Sequence, residues 1–541
     1  VSAVRHAIVN DVADDGPMTS ITPARSRLRA AIAGAAATIA ALGAAELTSG
    51  LLSGQSLVAA VGGVVIDLQP AGAKDVVVAL FGTNDKLALE LFIVGVAVAI
   101  GAALGVVALR SFLAGAGGIV AFAFAGLVAA MTDPSISPAI AALVAGVAAI
   151  VGVQALSWLL RGARVIGDAT GDDVPRPEAR AGMPDWSRRG FLLRSGSLAA
   201  ASVVAGVAGR RLLDISRATP TTGGTVLPPP GETVVLPPGA ELDVAGITPL
   251  VVPNEDFYRI DTALVIPGVD IAAWTLRIHG LVDRETTLTY ADLSELPMIE
   301  QFVTIACVSN EVGGDLVGNA KWTGVRLRDV LDIAGVQASA TQLVGRSVDA
   351  FTAGMPVSWV MDPAREPMIA LKMNDEILPK SHGYPARLIV PGLYGYVSAT
   401  KWLAELELTT WEAFDGFWIP RGWAKDAPIL TQSRIDVPGR GVSVPAGRVA
   451  IAGVAWAPDR GISKVEVGID GQWREARLSA PINDATWVQW MYAWDAASAG
   501  PGDHEIAVRA TDGDGVLQTD QRSRPDPDGA RGWHTIGVSV A

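Results

Sequence analysis

A single cysteine, Cys307, serves the whole 541-residue chain. No intramolecular disulfide can form, so the folded part must hold together by its own core. Histidine is nearly as scarce: His6, His279, His382, His504 and His534, none of them inside an apolar run. A membrane haem held by two histidines is therefore not expected. Positive charge is in the minority too. The net charge is −13, and neutralising a phosphate backbone needs gathered Lys and Arg, so no nucleic-acid partner is expected.

What is present is unevenly distributed. Up to about residue 210 the chain is rich in Ala, Gly, Val and Leu; beyond it, polarity is that of a globular protein and most of the Trp appears. Four apolar stretches, 29–48, 87–109, 112–131 and 137–160, each approach the ~20 residues that a bilayer crossing needs. They form a four-span section after a cytoplasmic tail, 1–28. Residues 55–82 hold shorter apolar runs around Asp67, Pro70 and Lys74, read as a re-entrant or interfacial loop or as ordinary extramembrane chain. Arg25, Arg27, Arg29, Arg110, Arg161, Arg164, Arg176 and Arg180 lie on one side, against Lys74 and Lys86 on the other. The positive-inside rule then puts the N-terminus and residues 161–189 in the cytoplasm.

Next comes Ser187-Arg188-Arg189-Gly190-Phe191-Leu192, followed by a weakly hydrophobic run from Leu198 to Ala208. It resembles a twin-arginine export signal, which carries folded proteins across the membrane. With no small-residue cleavage site before Arg210, the run is expected to stay as a fifth span within 161–209. Residues 210–247, with Pro228-Pro229-Pro230 and Pro237-Pro238, read as a semi-rigid linker. Residues 248–427 mix short strands (276–282) with short helices (290–296 and 327–334). Residues 428–541 carry runs of β type (449–454, 464–469, 476–478, 505–510) separated by Gly, Pro and Asp turns, the spacing of an immunoglobulin-like β-sandwich.

The chemistry gathers in two runs. Thr304-Ile305-Ala306-Cys307-Val308-Ser309-Asn310 ends a β-type stretch in the lone cysteine. Alone, such a cysteine is usually a small apolar core residue. The second run, His382-Gly383-Tyr384-Pro385-Ala386-Arg387, continues through Val390-Pro391-Gly392 to Ser398-Ala399-Thr400-Lys401-Trp402. Together they resemble the sulfite-oxidase family, whose pattern is H-G-x-P-x-R, then V-P-G, then S-x-K-W. The resemblance covers about 250–541. It implies an α+β molybdopterin domain and a molybdenum-molybdopterin cofactor. Cys307 would be the metal ligand and a catalytic residue, His382 and Arg387 would hold the pterin and its phosphate, and Ser398 and Lys401 would bind phosphate. The chain has one residue more than S-x-K, which brings in Thr400. Pro253-Asn254-Glu255-Asp256-Phe257-Tyr258-Arg259-Ile260-Asp261 partly resembles F-F-x-R-N-H of sulfite oxidases and N-x-F-Y-E of the related sulfoxide reductases. It implies cofactor or anion contacts from Asn254, Tyr258 and Arg259, while Thr352 falls where the reductases bind cofactor.

A molybdopterin domain folds around its cofactor before export, which is what a twin-arginine signal permits. The expected protein is a multi-pass plasma-membrane oxidoreductase with its catalytic domain outside the cytoplasm. It would transfer an oxo group to or from a small sulfur compound, sulfite-like or a sulfoxide. Arg259 or Arg387 would steer an anion, and the C-terminal domain would pair two chains. Electrons would pass through a separate cytochrome c or the quinone pool. Two other classes stay open: an inactive membrane-tethered scaffold on the same fold, and a transporter, against which counts the lack of charged clusters in the spans.

Overall fold

The computed structural model describes residues 23–52, 54, 56–68, 85–132, 137–162, 188–218 and 227–541. Ser187 of the arginine motif, the tail 1–22, residues 69–84 and the loop 163–187 lie outside the described residues. The chain divides into a helical unit (1–62, 86–131 and 136–213) and a second unit built mainly from 214–541.

The helical unit is formed by α1 (Pro23–Leu51), the start of α2 (Leu57–Leu68), α3 (Asp85–Val107), α4 (Phe112–Ala130), α5 (Pro138–Gly162) and α6 (Arg188–Ala218). Five of these are long and apolar enough to cross a membrane; α2, the described part of the 55–82 loop, is too short. The Ala-rich α1 owes its composition to packing. Ala30, Ala33 and Ala37 are fully buried. A β-carbon on Gly34 would fall 2.0 Å from the Gly101 carbonyl, and one on Gly209 2.3 Å from the Glu46 carbonyl. The backbones of α1, α3 and α6 thus approach as only small residues permit.

These apolar helices are not free of charge clusters, which corrects the sequence reading. Arg210 of α6 contacts Glu90 of α3 and lies 3.7 Å from Glu46 of α1, whose other carboxylate oxygen accepts from the Ser56 hydroxyl. One charged residue per helix is invisible to a count along any single span.

In the second unit the strands run β1 (Thr275–Gly280), β2 (Thr286–Thr289), β3 (Met298–Ala306), β4 (Val317–Arg326), β5 (Gln342–Ser347), β6 (Thr352–Pro356), β7 (Met368–Met373), β8 (Glu376–Ile377), β9 (Arg387–Ile389) and β10 (Leu403–Thr409). One sheet has the order β2-β1-β10-β5-β6, mixed because β1 and β10 are parallel. The other has the order β3-β4-β7-β8, with β9 also on β7. Both bury one continuous core that includes Leu276, Trp322, Leu388 and Leu406.

Nine later strands, β11 (Gln432–Val437), β12 (Ser443–Val444), β13 (Arg448–Trp456), β14 (Ile462–Ile469), β15 (Gln472–Glu475), β16 (Arg477–Leu478), β17 (Val488–Asp495), β18 (Gly502–Asp512) and β19 (His534–Val540), make two more sheets. Their orders are β11-β13-β17-β16 and β12-β19-β18-β14-β15. These sheets share a core of Ile451, Val465, Trp490, Val508 and Ile536.

The Pro-rich stretch is not a free spacer from residue 227 onward. Extended chain still offers its carbonyls and N–H groups: Glu300 N donates to Glu232 O at 3.0 Å, and Gly231 N to Met298 O at 2.9 Å. The Glu232 carboxylate pairs with Arg326 at 2.6 Å, and Leu242 N donates to Gln489 Oε1 at 2.7 Å.

Candidate active site

Cys307 stands one residue beyond β3, 8% exposed. Its N–H donates to Leu316 O at 2.9 Å and its carbonyl accepts from Asn310 N at 3.0 Å. The Asn310 side chain accepts from Leu316 N at 2.9 Å. The loop from 307 to 316 is thereby closed on itself, as the small polar residues after the cysteine allow.

The second run meets the same place. A cavity of about 100 Å³ is lined by Cys307, Tyr258, His382, Arg387, Lys401 and Asp261, with Phe351, Tyr396, Trp418 and Trp423 among its aromatic walls. Gly383 makes the approach possible. At φ +115° it takes a conformation that side chains rarely adopt, and a β-carbon there would stand 3.0 Å from Lys401 Cα, Cβ and Cγ.

His382 is 5% exposed and its Nε2 lies 2.8 Å from Asn254 O. A carbonyl only accepts, so Nε2 carries the hydrogen. Burial, then the Arg387 and Lys401 charges, brings its pKa down to about 4, so the ring is neutral at pH 7. Arg387, 5% exposed, donates from Nη1 to His382 O at 3.0 Å and lies over the Trp322 ring at 4.9 Å. Its Nε is buried without a hydrogen-bond partner, and no carboxylate pairs with it among the described residues. Burial lowers its pKa only to about 10, so the charge remains. Lys401 pairs with Asp261 at 2.9 Å, and burial lowers it to about 8 against the upward pull of Asp261. The Tyr258 phenol is pushed well above the usual range, first by burial and then by Cys307 nearby, so it stays protonated.

The other expected residues do not face this cavity. Asn254 spends its amide on Met373 O (3.2 Å) and Glu376 (3.0 Å), and its Oδ1 accepts from Asn374 at 2.9 Å. Arg259 turns outward, 37% exposed, onto Asp261. Thr352 opens β6 opposite Arg346, and its neighbour Phe351 is the one on the wall. Ser398 closes a turn on the carbonyls of Leu393 and Tyr394, both at 3.0 Å. Thr400 is fully buried against Gly345, its hydroxyl without a hydrogen-bond partner. Sequence reasoning passed over Asp261, though it closes the Pro253–Asp261 run, and over Trp418 and Trp423, which lie beyond the motif.

Among the described residues no three His, Cys, Asp or Glu gather to hold a bare metal ion. A metal centre held in this cavity would bring most of its own donors, and Cys307 is the one thiol in its lining. A buried cation without a counter-ion costs several kcal/mol, so Arg387 calls for an anion in the cavity. One soft donor beside an unpaired guanidinium fits a sulfur-rich, phosphate-bearing metal cofactor.

Comparison with known proteins agrees. Residues 263–418 match the oxidoreductase molybdopterin binding domain. The chain is 29% identical over 316 residues to the mitochondrial sulfite oxidase of Homo sapiens, covering 50% of this chain and 57% of that protein. It is 27% identical over 280 residues to the sulfite oxidase of Arabidopsis thaliana, covering 42% and 70%. The crystal structure of the sulfane dehydrogenase SoxCD from Paracoccus pantotrophus aligns with a TM-score of 0.48 at 23% identity, over 54% of this chain and 82% of that one. The chain spans little more than half the length of the human relative. Residues 263–418 are thus an oxidoreductase molybdopterin binding domain, similar to that of sulfite oxidases.

Proposed function

We propose that this protein is a membrane-anchored enzyme that moves an oxo group to or from a small sulfur compound outside the cytoplasm. The observation that carries the reading is the buried, unpaired Arg387 guanidinium in the same cavity as the chain's single thiol. The molybdenum cofactor, when bound, supplies the two-electron oxo chemistry. Cys307 would hold the metal as its thiolate, while Arg387 and Lys401 would hold the anionic end. His382 would orient the pterin through its free Nδ1 lone pair, since Nε2–H is committed to Asn254 O. Tyr258 would donate a hydrogen bond into the cavity, and the aromatic wall would keep water out. Arg259 is assigned a supporting place through Asp261 in preference to substrate contact.

The lining favours a neutral substrate. Its cations are two, Arg387 and Lys401, the second already paired with Asp261, and aromatic rings make up much of the rest. Once the cofactor phosphate takes up the cations, little positive potential is left for a sulfite anion. A sulfoxide or thioether suits such a wall better. Reducing equivalents would leave or arrive through a separate cytochrome c or the quinone pool. The spans, their arginine asymmetry and Arg188-Arg189 at the head of α6 support a cytoplasmic N-terminus and twin-arginine export. The two C-terminal sheets would form an immunoglobulin-like dimerisation domain.

Metal analysis tests the core of this. Purified protein should carry about one molybdenum per chain, and Cys307→Ser should lose it. A dye-linked assay against sulfite and a panel of sulfoxides, in both directions, then identifies the substrate. Absence of molybdenum from protein made in a cofactor-producing host would leave the inactive scaffold as the reading.

A further inference from the structure

The segment that carries Cys307 is gripped on both sides by residues more than a hundred positions further along the chain. On the strand side, Asn483 Nδ2 donates to Phe302 O at 3.1 Å and Thr304 N to Ala485 O at 3.0 Å, while Trp487 N donates to Thr304 Oγ1 at 2.8 Å. On the loop side, Arg434 is 8% exposed and uses all three nitrogens. Nε donates to Asp436 at 2.7 Å, Nη1 to Gly314 O at 2.8 Å and Nη2 to Thr248 Oγ1 at 2.8 Å. His534 accepts from Ile435 N at its Nδ1, 3.0 Å away. Its ring occupies the place where a Gly313 β-carbon would stand, 2.4 Å from Cδ2 and 2.5 Å from Nε2.

These grips fall close on either side of the cysteine, at 302 and 304 before it and at 313 and 314 after it. Between them the loop closes on itself through Cys307, Asn310 and Leu316. A loop fixed at both ends by charge-assisted and backbone hydrogen bonds leaves the thiol little freedom. We propose that the C-terminal section completes the metal site, with Arg434 and His534 as positioning residues that fix where the Cys307 thiol stands in the cavity. The role in catalysis rests on Cys307 being the metal ligand; the positioning itself does not.

Cys307 is the chain's single cysteine, so thiol labelling reports on this loop alone. The experiment is iodoacetamide labelling of the full chain in detergent, purified from cells that make no molybdopterin. Arg434→Met removes the three donors with little change of volume. It should speed alkylation about tenfold under conditions where the protein is folded, because the loop opens locally. Arg434→Lys, which keeps the charge but not the fork, should fail to restore the wild-type rate. Val508→Ala is the control: it weakens the C-terminal core away from the loop and should leave the rate unchanged. His534→Leu gives the same reading if Arg434→Met does not fold. A wild-type rate in the Arg434 or His534 variant, or equal acceleration in Val508→Ala, would overturn the proposal. Loss of the molybdenum reading through Cys307→Ser would leave these labelling results standing, so the two failures are distinct.

Discussion

Lys401 Nζ lies 2.9 Å from Asp261 Oδ2, with the two side chains 11% and 3% exposed. Burial has already lowered the ammonium to about 8, and Asp261 is what holds it that high. Replacing Asp261 with Asn should carry it lower still, so that Lys401 loses its charge near neutrality. The expected outcome is molybdopterin retention that falls several-fold between about pH 6 and 7.5 in Asp261→Asn and much less in the wild type, whose Lys401 keeps most of its charge below 8. Molybdenum per chain after gel filtration at each pH measures this.

Arg387 yields two effects of opposite sign. In cofactor-free protein its charge is buried without a carboxylate, so Arg387→Met should raise stability, by ~1–4 kcal/mol. In cells that make the cofactor, the same variant should lose most of its molybdenum. Thermal unfolding of the first preparation and metal content of the second are the checks. A cofactor-free variant less stable than the wild type would mean that the guanidinium is compensated in some other way.

Acid should unfold the protein early. The folded pKa of His382 is about 4 against an ordinary 6.5, because burial disfavours the charged ring. Above pH 6.5 neither state is protonated and the residue contributes nothing to pH dependence. Between 6.5 and about 4 the unfolded chain binds a proton that the folded chain refuses, so stability falls by up to ~1.4 kcal/mol per pH unit. His534, also held near 4 by burial, adds in the same direction. His382→Gln, whose amide can still donate to Asn254 O, should flatten the fall of the melting temperature over this window.

The helical unit offers its own test. Arg210→Leu would strand Glu46 and Glu90 among apolar helices. A cost of ~3–5 kcal/mol is expected for the broken cluster, read as a lower melting temperature in detergent. Adding Glu46→Gln and Glu90→Gln to the same chain should recover most of it. A triple variant as unstable as Arg210→Leu would show that packing, not charge, is the cause.

Much of the site was legible where chemistry sits in local runs. Cys307, His382, Arg387 and Lys401 all line the cavity, and each lies in one of the two local runs that carry the family resemblance. Ser398 and Thr400 show the limit of that approach. The extra residue between Ser398 and Lys401 is absorbed by a turn that takes the Ser398 hydroxyl, and no spacing rule reveals this. Arg259 and Asn254 were drawn toward the cavity by their neighbours in sequence, yet each found a nearer partner in the fold.

The sequence by itself pointed to the cofactor class, through motifs that resemble the sulfite-oxidase family, and fixed the lengths of the apolar helices, which match what a bilayer crossing needs. Tertiary structure alone decided which polar groups meet: Lys401 with Asp261 across 140 residues, Arg434 with the Gly314 carbonyl across 120, and Arg210 with Glu90 across 120. Helix and strand periods describe which way a side chain faces its own segment. They carry no information about which distant segment arrives opposite, and that is settled only when the sheets and helices pack.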